Sequence, residues 1–574
     1  MAGTKRFLKR GGMKKSTKRK CAAALGAASL AVFYQAAKRA KNAHHELQSQ
    51  AGEALLEREK ARKRARAAKL ADASGQADAA GQAEARETDI WSSYPRPSMR
   101  RKSFVSLNGH WRLNGRDILV PFPPQASLSG YQEKVGARLE YSRLFTLPKE
   151  REDNSGQAAR QEESRVLLHF GAVDQVAHVY VNGYFAGKHE GGYLPFSCDI
   201  TELLNKGENL LVVKVKDTLS PRYPYGKQRR SRGGMWYTPV SGVWQSVWLE
   251  RVPKEYIKKL DVTTDLSKVK VSVTGVFQDE TSFAGDTPKE SRPVTVTVKL
   301  HDGSSYTVKA EGQEAEIDLS QIRLPDGRLY EPILWTTKQP YLYQMTVRMG
   351  EDEVSSYFGL RTIEVKKIGG IPRVCLNGEP VFLHGVLDQG YFCDGIYLPA
   401  CESEYEQDVL RMKELGFNML RKHIKIEPEC FYYYCDKHGM LVMQDMVNSG
   451  VYSWIRDTAL PTLGVFRKWD GRLWGSRRRK DFFVEHSMET IRHLRNHPCV
   501  IAYTIFNEGW GQFRSDELYR MAKEEDGARL YDATSGWFVQ ESSDFDSQHI
   551  YFHSLKLQEK PERPVFVSEC GGYS

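Results

Sequence analysis

The tightest constraint on this chain is a change of pattern near residue 370. Over residues 91–253, short runs alternate apolar and polar residues, as in "RVLLHFGAVDQVAHVYVNGYFAG", and break at turn pairs such as Asn182-Gly183. Period-two alternation buries one face of a strand, and Asn-Gly tolerates the positive φ values of a tight hairpin. A jelly-roll domain is therefore predicted for 89–253. The segments "KLDVTTDL", "KVKVSVTGVF", "PVTVTVKLHD" and "LYQMTVRM" repeat the pattern at sandwich spacing and predict an immunoglobulin-like β-sandwich over 254–366.

Beyond Gly370 the strands become continuous Val/Ile/Leu runs separated by amphipathic stretches, the signature of βα units and a parallel sheet. Seven strands are predicted, in "PVFLHGV", "FNMLRKH", "MLVMQD", "CVIAYTIFNEG", "RLYDATSGW", "SQHIYF" and "PVFVSEC". Helices are predicted over 404–415, 427–437 and 480–495. The fold class is thus multidomain β plus α/β, with 367–574 forming a (β/α)8-type barrel. The last predicted strand ends close to Ser574, so a barrel truncated after the seventh strand, with an open edge, is expected. Polar residues end each strand on the face where barrels place their chemistry.

A net charge of +11 invites a nucleic-acid reading until it is located. Residues 1–88 hold 20 Lys/Arg against 8 Asp/Glu, whereas the other 486 residues hold 63 against 64. The basicity belongs to the leader, so no nucleic-acid partner is predicted for the folded part. Within that leader a basic stretch precedes the small apolar run 21–37, the form of a secretion signal. Secreted and cytoplasmic locations both stay open, and a membrane is a partner only if the leader is an uncleaved anchor. Residues 38–87 are Ala-, Glu-, Lys- and Arg-rich and predict a solvated tether. Nine cysteines without a C-x-x-C pair give neither a zinc knuckle nor a disulfide framework.

Two glutamates stand out at strand ends: Glu508 after "VIAYTIFN" and just before Gly509, and Glu569 after "PVFVS" and shortly before Gly571-Gly572. Hydrolysing a glycosidic bond with retention needs two carboxyl groups about 5 Å apart, one to attack the anomeric carbon and one to protonate the leaving oxygen. A rim carboxylate paired with an Arg or Lys is the plainer reading of either residue alone. No metal or other cofactor is predicted, because the two-carboxylate chemistry requires none.

The motifs "SLNGHWRL", "VYVNGYFAG", "YTPVSGVWQSVWLE", "YFGLR", "LHGVLDQGY", "GFNMLRKH", "QDM", "FNEGWGQF" and "PVFVSECGGYS" follow in an order that resembles glycoside hydrolase family 2 from about residue 91 onward. The resemblance implies a retaining exo-β-glycosidase acting on a β-linked carbohydrate, β-galactosidase-like, with homo-oligomers possible. Open alternatives are β-glucuronidase or β-mannosidase activity, or a non-catalytic carbohydrate-binding protein. It implies Glu508 as general acid/base, Glu569 as nucleophile, and Asn507 as partner of the sugar 2-hydroxyl. Tyr551 and His549, both in "HIYF", Arg421 and His423 on the site floor, and His384 and Asp388 at the first strand end are implied substrate-binding residues. Trp510 and Trp537 are candidates for stacking on the ring. Cys570 departs from the family pattern, which carries a larger residue after the nucleophile.

The chemistry sets two further expectations. Glu508 should have a pKa raised toward neutrality, and Glu569 should stay ionised through donors such as Arg421 or Tyr551. The basic run Arg477-Arg478-Arg479-Lys480 reads as a solvated loop before a helix.

Overall fold

The computed structural model describes residues 91–148, 164–231, 233–277, 292–459, 470, 475–536, 538–551 and 562–571. The leader, with its predicted secretion signal or anchor and tether, lies outside the described residues, as does Trp537. The domains described below belong to one compact unit, made of residues 84–230 and 237–574. No helix among the described residues is long and apolar enough to cross a membrane.

The first β domain pairs a six-stranded sheet with a four-stranded one, all antiparallel. At its centre Glu208–Lys216 pairs with both Arg138–Thr146 and Val176–Val181. Alternate residues of these strands, such as Leu211, Val213 and Val215, are buried against Trp111, Tyr141 and Leu168. The predicted hairpin is present: Val176–Val181 turns into Tyr184–Glu190 through Asn182 and Gly183, both at positive φ. In the second β domain a three-stranded and a four-stranded antiparallel sheet enclose a separate core that includes Val271, Val296, Tyr343 and Val347.

The βα region supplies seven parallel strands. Five make one sheet: β1 (Gly385–Asp388), β2 (Met419–Lys422), β3 (Leu441–Asp445), β4 (Val500–Asn507) and β5 (Leu530–Ser535). β6 (Asp546–Ile550) and β7 (Val565–Cys570) pair with each other. β4 is buried along its whole length, as expected of a strand covered on both faces. The Arg421 guanidinium leaves β2 and donates to the Ser568 carbonyl of β7 (3.2 Å), so the strands curl around an interior rather than lying flat.

Helices α1 (Ser403–Glu414), α2 (Glu429–His438) and α3 (Arg477–Leu494) lie where the pattern put them. α4 (Ser515–Glu525), which the sequence reading lacked, packs Leu518 and Ala522 inward between β4 and β5. The basic run opens α3 instead of forming a loop. Ser476 caps that helix by accepting from the Arg479 amide, and the Arg479 side chain is buried, donating to Ser449 Oγ at 3.1 Å. Eight cysteines lie in the described residues, all free, five of them buried.

Candidate active site

The strand ends converge. β2 contributes Arg421 and then His423, β3 Asp445, β4 Asn507 and then Glu508, β5 Ser535, β6 His549 and β7 Glu569. Parallel pairing sets Asn507 beside Ser535 and His549 beside Glu569. Glu508 follows β4 at φ +52, a left-handed backbone that costs a non-glycine residue about 1–3 kcal/mol. Its amide donates to the Ser535 carbonyl at 3.0 Å, which holds the turn and directs the carboxyl inward.

Arg421 is the hub of the floor. It is 1% exposed and donates to Asp445 Oδ1 (3.0 Å), Glu569 Oε1 (2.9 Å), Asn507 Oδ1 (2.9 Å) and Ser535 Oγ (2.9 Å). Burial alone would lower its pKa, but Asp445 and Glu569 hold it above the ordinary arginine value. Burial also opposes ionisation of Asp445, yet Arg421 and His423 bring that carboxyl down to about 2. Glu569 receives a second donor, the Tyr551 hydroxyl at 2.5 Å from Oε2. Despite burial, His549, Arg421 and His423 keep its pKa below the usual carboxylate range.

Glu508 and Glu569 come together around His549. The imidazole Nδ1 lies 3.0 Å from Glu508 Oε1, and Nε2 lies 3.6 Å from Glu569 Oε1. One oxygen of each glutamate and a nitrogen of this ring all fall within 4.8 Å of one another. Nε2 also lies 3.4 Å from Arg421 Nη1, so the ring is packed among the two glutamates and the guanidinium. Gly536 makes room for the ring: it sits at φ +78, and a Cβ there would stand 2.5 Å from His549 Cγ.

The expected raised pKa of Glu508 does not hold in this geometry. Burial pushes it up, but the His549 hydrogen bond and the Lys227 ammonium outweigh burial and take it to about 2. Sequence reasoning had no place for Lys227. A loop of the first β domain carries it, with Nζ 3.1 Å from His423 Nε2 and 3.9 Å from Glu508 Oε2. Asp445 was also missed, although a carboxylate ending a barrel strand is the signal that singled out the two glutamates.

Other predicted residues lie elsewhere or do something else. His384 precedes β1, so it sits at the N-terminal end of that strand, away from the strand ends that carry the glutamates. Its ring is exposed beside Phe417, with Nδ1 3.2 Å from the Gly416 carbonyl oxygen, and its placement as a substrate-binding residue is corrected. Asp388 does end β1, where Lys422 pairs with it at 2.9 Å. His423 is buried, with Nδ1 2.7 Å from Asp445 Oδ2, and desolvation together with Lys227 lowers its pKa. Trp510 is 3% exposed, donates to the Gly450 carbonyl and packs against Tyr225 and Tyr452, so its faces are given to protein and not to an open gap. Beside Glu508 a cleft of about 390 Å³ opens between Gly509, Gly511, Phe538 and the Ser220–Arg222 loop.

Three domain models of one family match in the order of the fold. The sugar binding domain of glycosyl hydrolases family 2 matches residues 131–253, a model described simply as glycosyl hydrolases family 2 matches 255–361, and the family's TIM barrel domain matches 371–568. The chain belongs to glycosyl hydrolases family 2. Among curated relatives, a β-galactosidase of Thermoanaerobacter pseudethanolicus is 28% identical over 354 residues, covering 60% of this chain and 42% of that protein. The chain thus spans less than half the length of that relative. Among solved structures, a β-D-glucuronidase of Dictyoglomus thermophilum superposes with a TM-score of 0.60 at 20% identity, covering 79% of this chain and 76% of the other. A β-galacturonidase of Eisenbergiella tayi does so with a TM-score of 0.57 at 18% identity, covering 81% and 77%.

Proposed function

We propose that this chain is a retaining exo-β-glycosidase, β-galactosidase-like in substrate, with Glu569 as nucleophile and Glu508 as general acid/base. The observation that carries the reading is the approach of the two carboxyl groups to within 4.8 Å at the end of one barrel. Double displacement needs a gap of about 5 Å, whereas inversion leaves room for a water and needs roughly 6.5–9.5 Å. The donors around Glu569 suit a carboxylate that must attack in its ionised form. Tyr551 and Arg421 hold both of its oxygens and orient them.

Glu508 carries the proton for the leaving group, and His549 Nδ1, 3.0 Å from its Oε1, holds the carboxyl in place. A sugar entering the gap desolvates Glu508 and favours its neutral form, from which the proton passes to the departing oxygen. Once the glycosyl group is attached to Glu569, that carboxylate's charge is gone, and Glu508 takes a proton from the incoming water. Asn507 Nδ2 is buried and has no hydrogen-bond partner among the described residues, so it is available to the sugar 2-hydroxyl.

The galactoside assignment follows the 28% identical relative named a β-galactosidase. A panel of nitrophenyl β-galactoside, β-glucuronide and β-mannoside, offered to the full chain and to Glu569→Gln, tests it. Preferred turnover of the galactoside that Glu569→Gln abolishes is expected. Preference for another sugar would move the substrate, and sugar binding without turnover of any glycoside would favour a non-catalytic binder.

A further inference from the structure

Lys227 belongs to the first β domain, yet its side chain is buried at the barrel mouth. The loop is fastened on both sides. Tyr225 and Lys227 donate their amides to Asn448 O (3.0 Å) and Asn448 Oδ1 (3.1 Å), while Gln228 bridges the Val240 amide and the Tyr193 hydroxyl. The ammonium then has two partners of different kinds. His423 gives its Nδ1 proton to Asp445, so its Nε2 lone pair accepts from Lys227 at 3.1 Å. On the other side stands Glu508 Oε2 at 3.9 Å, with the Trp510 ring 5.9 Å away.

These contacts close a ring of polar side chains. Lys227 meets His423, which meets Asp445, then Arg421, then Glu569, then His549, then Glu508, and so back to Lys227. Every other member comes from the barrel. Lys227 alone comes from the sugar-binding domain, and it approaches the Glu508 oxygen that His549 leaves uncovered.

We infer that Lys227 is a positioning residue for Glu508, by which the first β domain holds the orientation and charge of the acid/base. This rests on the proposed hydrolase reading for its catalytic meaning, but not for its physics. The groups that face Glu508 are Lys227, His549, His423, Glu569, Tyr551 and Tyr237. Of these, the His549 hydrogen bond and Lys227 favour its ionised form, whereas Glu569 opposes it. A cation that leaves favours protonation, so removing Lys227 should make Glu508 a stronger proton holder, with a higher titration midpoint.

The test is a carboxyl titration that does not need turnover. Full-length protein labelled with 13C at Glu Cδ is titrated by NMR as wild type, Lys227→Met and Lys227→Arg, with Glu508→Gln assigning the signal. The Glu508 midpoint is expected to rise by about one pH unit or more in Lys227→Met and to stay near wild type in Lys227→Arg. Where the wild type turns over a glycoside, the pH profile of kcat/KM should move to higher pH in Lys227→Met and stay in place in Lys227→Arg. An unmoved Glu508 midpoint in a Lys227→Met protein of wild-type circular dichroism and Tm overturns the inference. A wild type silent on every glycoside would instead refute the hydrolase reading, and the NMR midpoints would still decide the role of Lys227.

Discussion

His549 and Glu569 are register partners on neighbouring parallel strands, and the imidazole Nε2 lies 3.6 Å from Glu569 Oε1 while Nδ1 lies 3.0 Å from Glu508 Oε1. One ring therefore stands between both carboxyl groups.

Replacing this ring tests the proton path. His549 Nδ1 lies within hydrogen-bond reach of Glu508 Oε1, so His549→Gln should lower kcat on the preferred glycoside by about 10²-fold or more. KM should change less. Steady-state kinetics on an activated nitrophenyl glycoside, whose leaving group needs little protonation, should show a smaller loss. Equal losses on activated and unactivated substrates would remove His549 from acid catalysis.

Gly536 sets the place of that ring from the next strand. Its φ of +78 strains any other residue by about 1–2 kcal/mol, and an added Cβ would press on His549 Cγ at 2.5 Å. Gly536→Ala is expected to fold with a slightly lower Tm and to lose at least about tenfold in kcat/KM. Melting and kinetics on the same preparation check both parts.

Arg421 carries the largest expected cost to stability. Asp445 and Glu569 are both buried against it, and Arg421→Met would leave them without their main counter-charge. Breaking a buried pair in this way costs about 3–5 kcal/mol, read as a fall in denaturation midpoint with an unchanged slope. Arg421→Met combined with Asp445→Asn should recover part of that loss.

Asp532 gives a pH signature. It is fully buried on β5, and desolvation raises its pKa from 3.8 to about 6, in spite of Ser547 and Arg421. A carboxyl with a raised folded-state pKa stabilises fully below pH 3.8 and loses that contribution as pH rises through about 6. Asp532→Asn should therefore melt above wild type at pH 8, by an amount corresponding to at most about 3 kcal/mol. Near pH 4 the difference should vanish. A gap that is the same at both pH values would contradict the shift.

The architecture was legible in the sequence because periodicity reports burial. The strands from β1 to β7 correspond to seven apolar runs, and the glutamates were found because a charged residue directly after such a run must leave the interior at a strand end. Strand ends are set less sharply. "PVFLHGV" reads as one run, but β1 starts only at Gly385, so His384 falls at the wrong end of the strand. α4 was missed although Asp516 and Glu517 open it and Leu518 and Ala522 share a face, because its 11 residues make a short period to detect. Lys227 had no local signal at all. It is 196 residues from His423, and only the docking of one domain on another brings them to 3.1 Å.

Covalent trapping is the most direct test of the pairing of Glu508 with Glu569. The full chain is incubated with 2-deoxy-2-fluoro β-glycosides of the three sugars, digested and mapped by mass spectrometry. Adduct on the peptide containing Glu569, absent in Glu569→Gln, is the expected result. Adduct on any other residue, or steady turnover of the parent glycoside with no adduct from its fluorinated form, would contradict double displacement through Glu569.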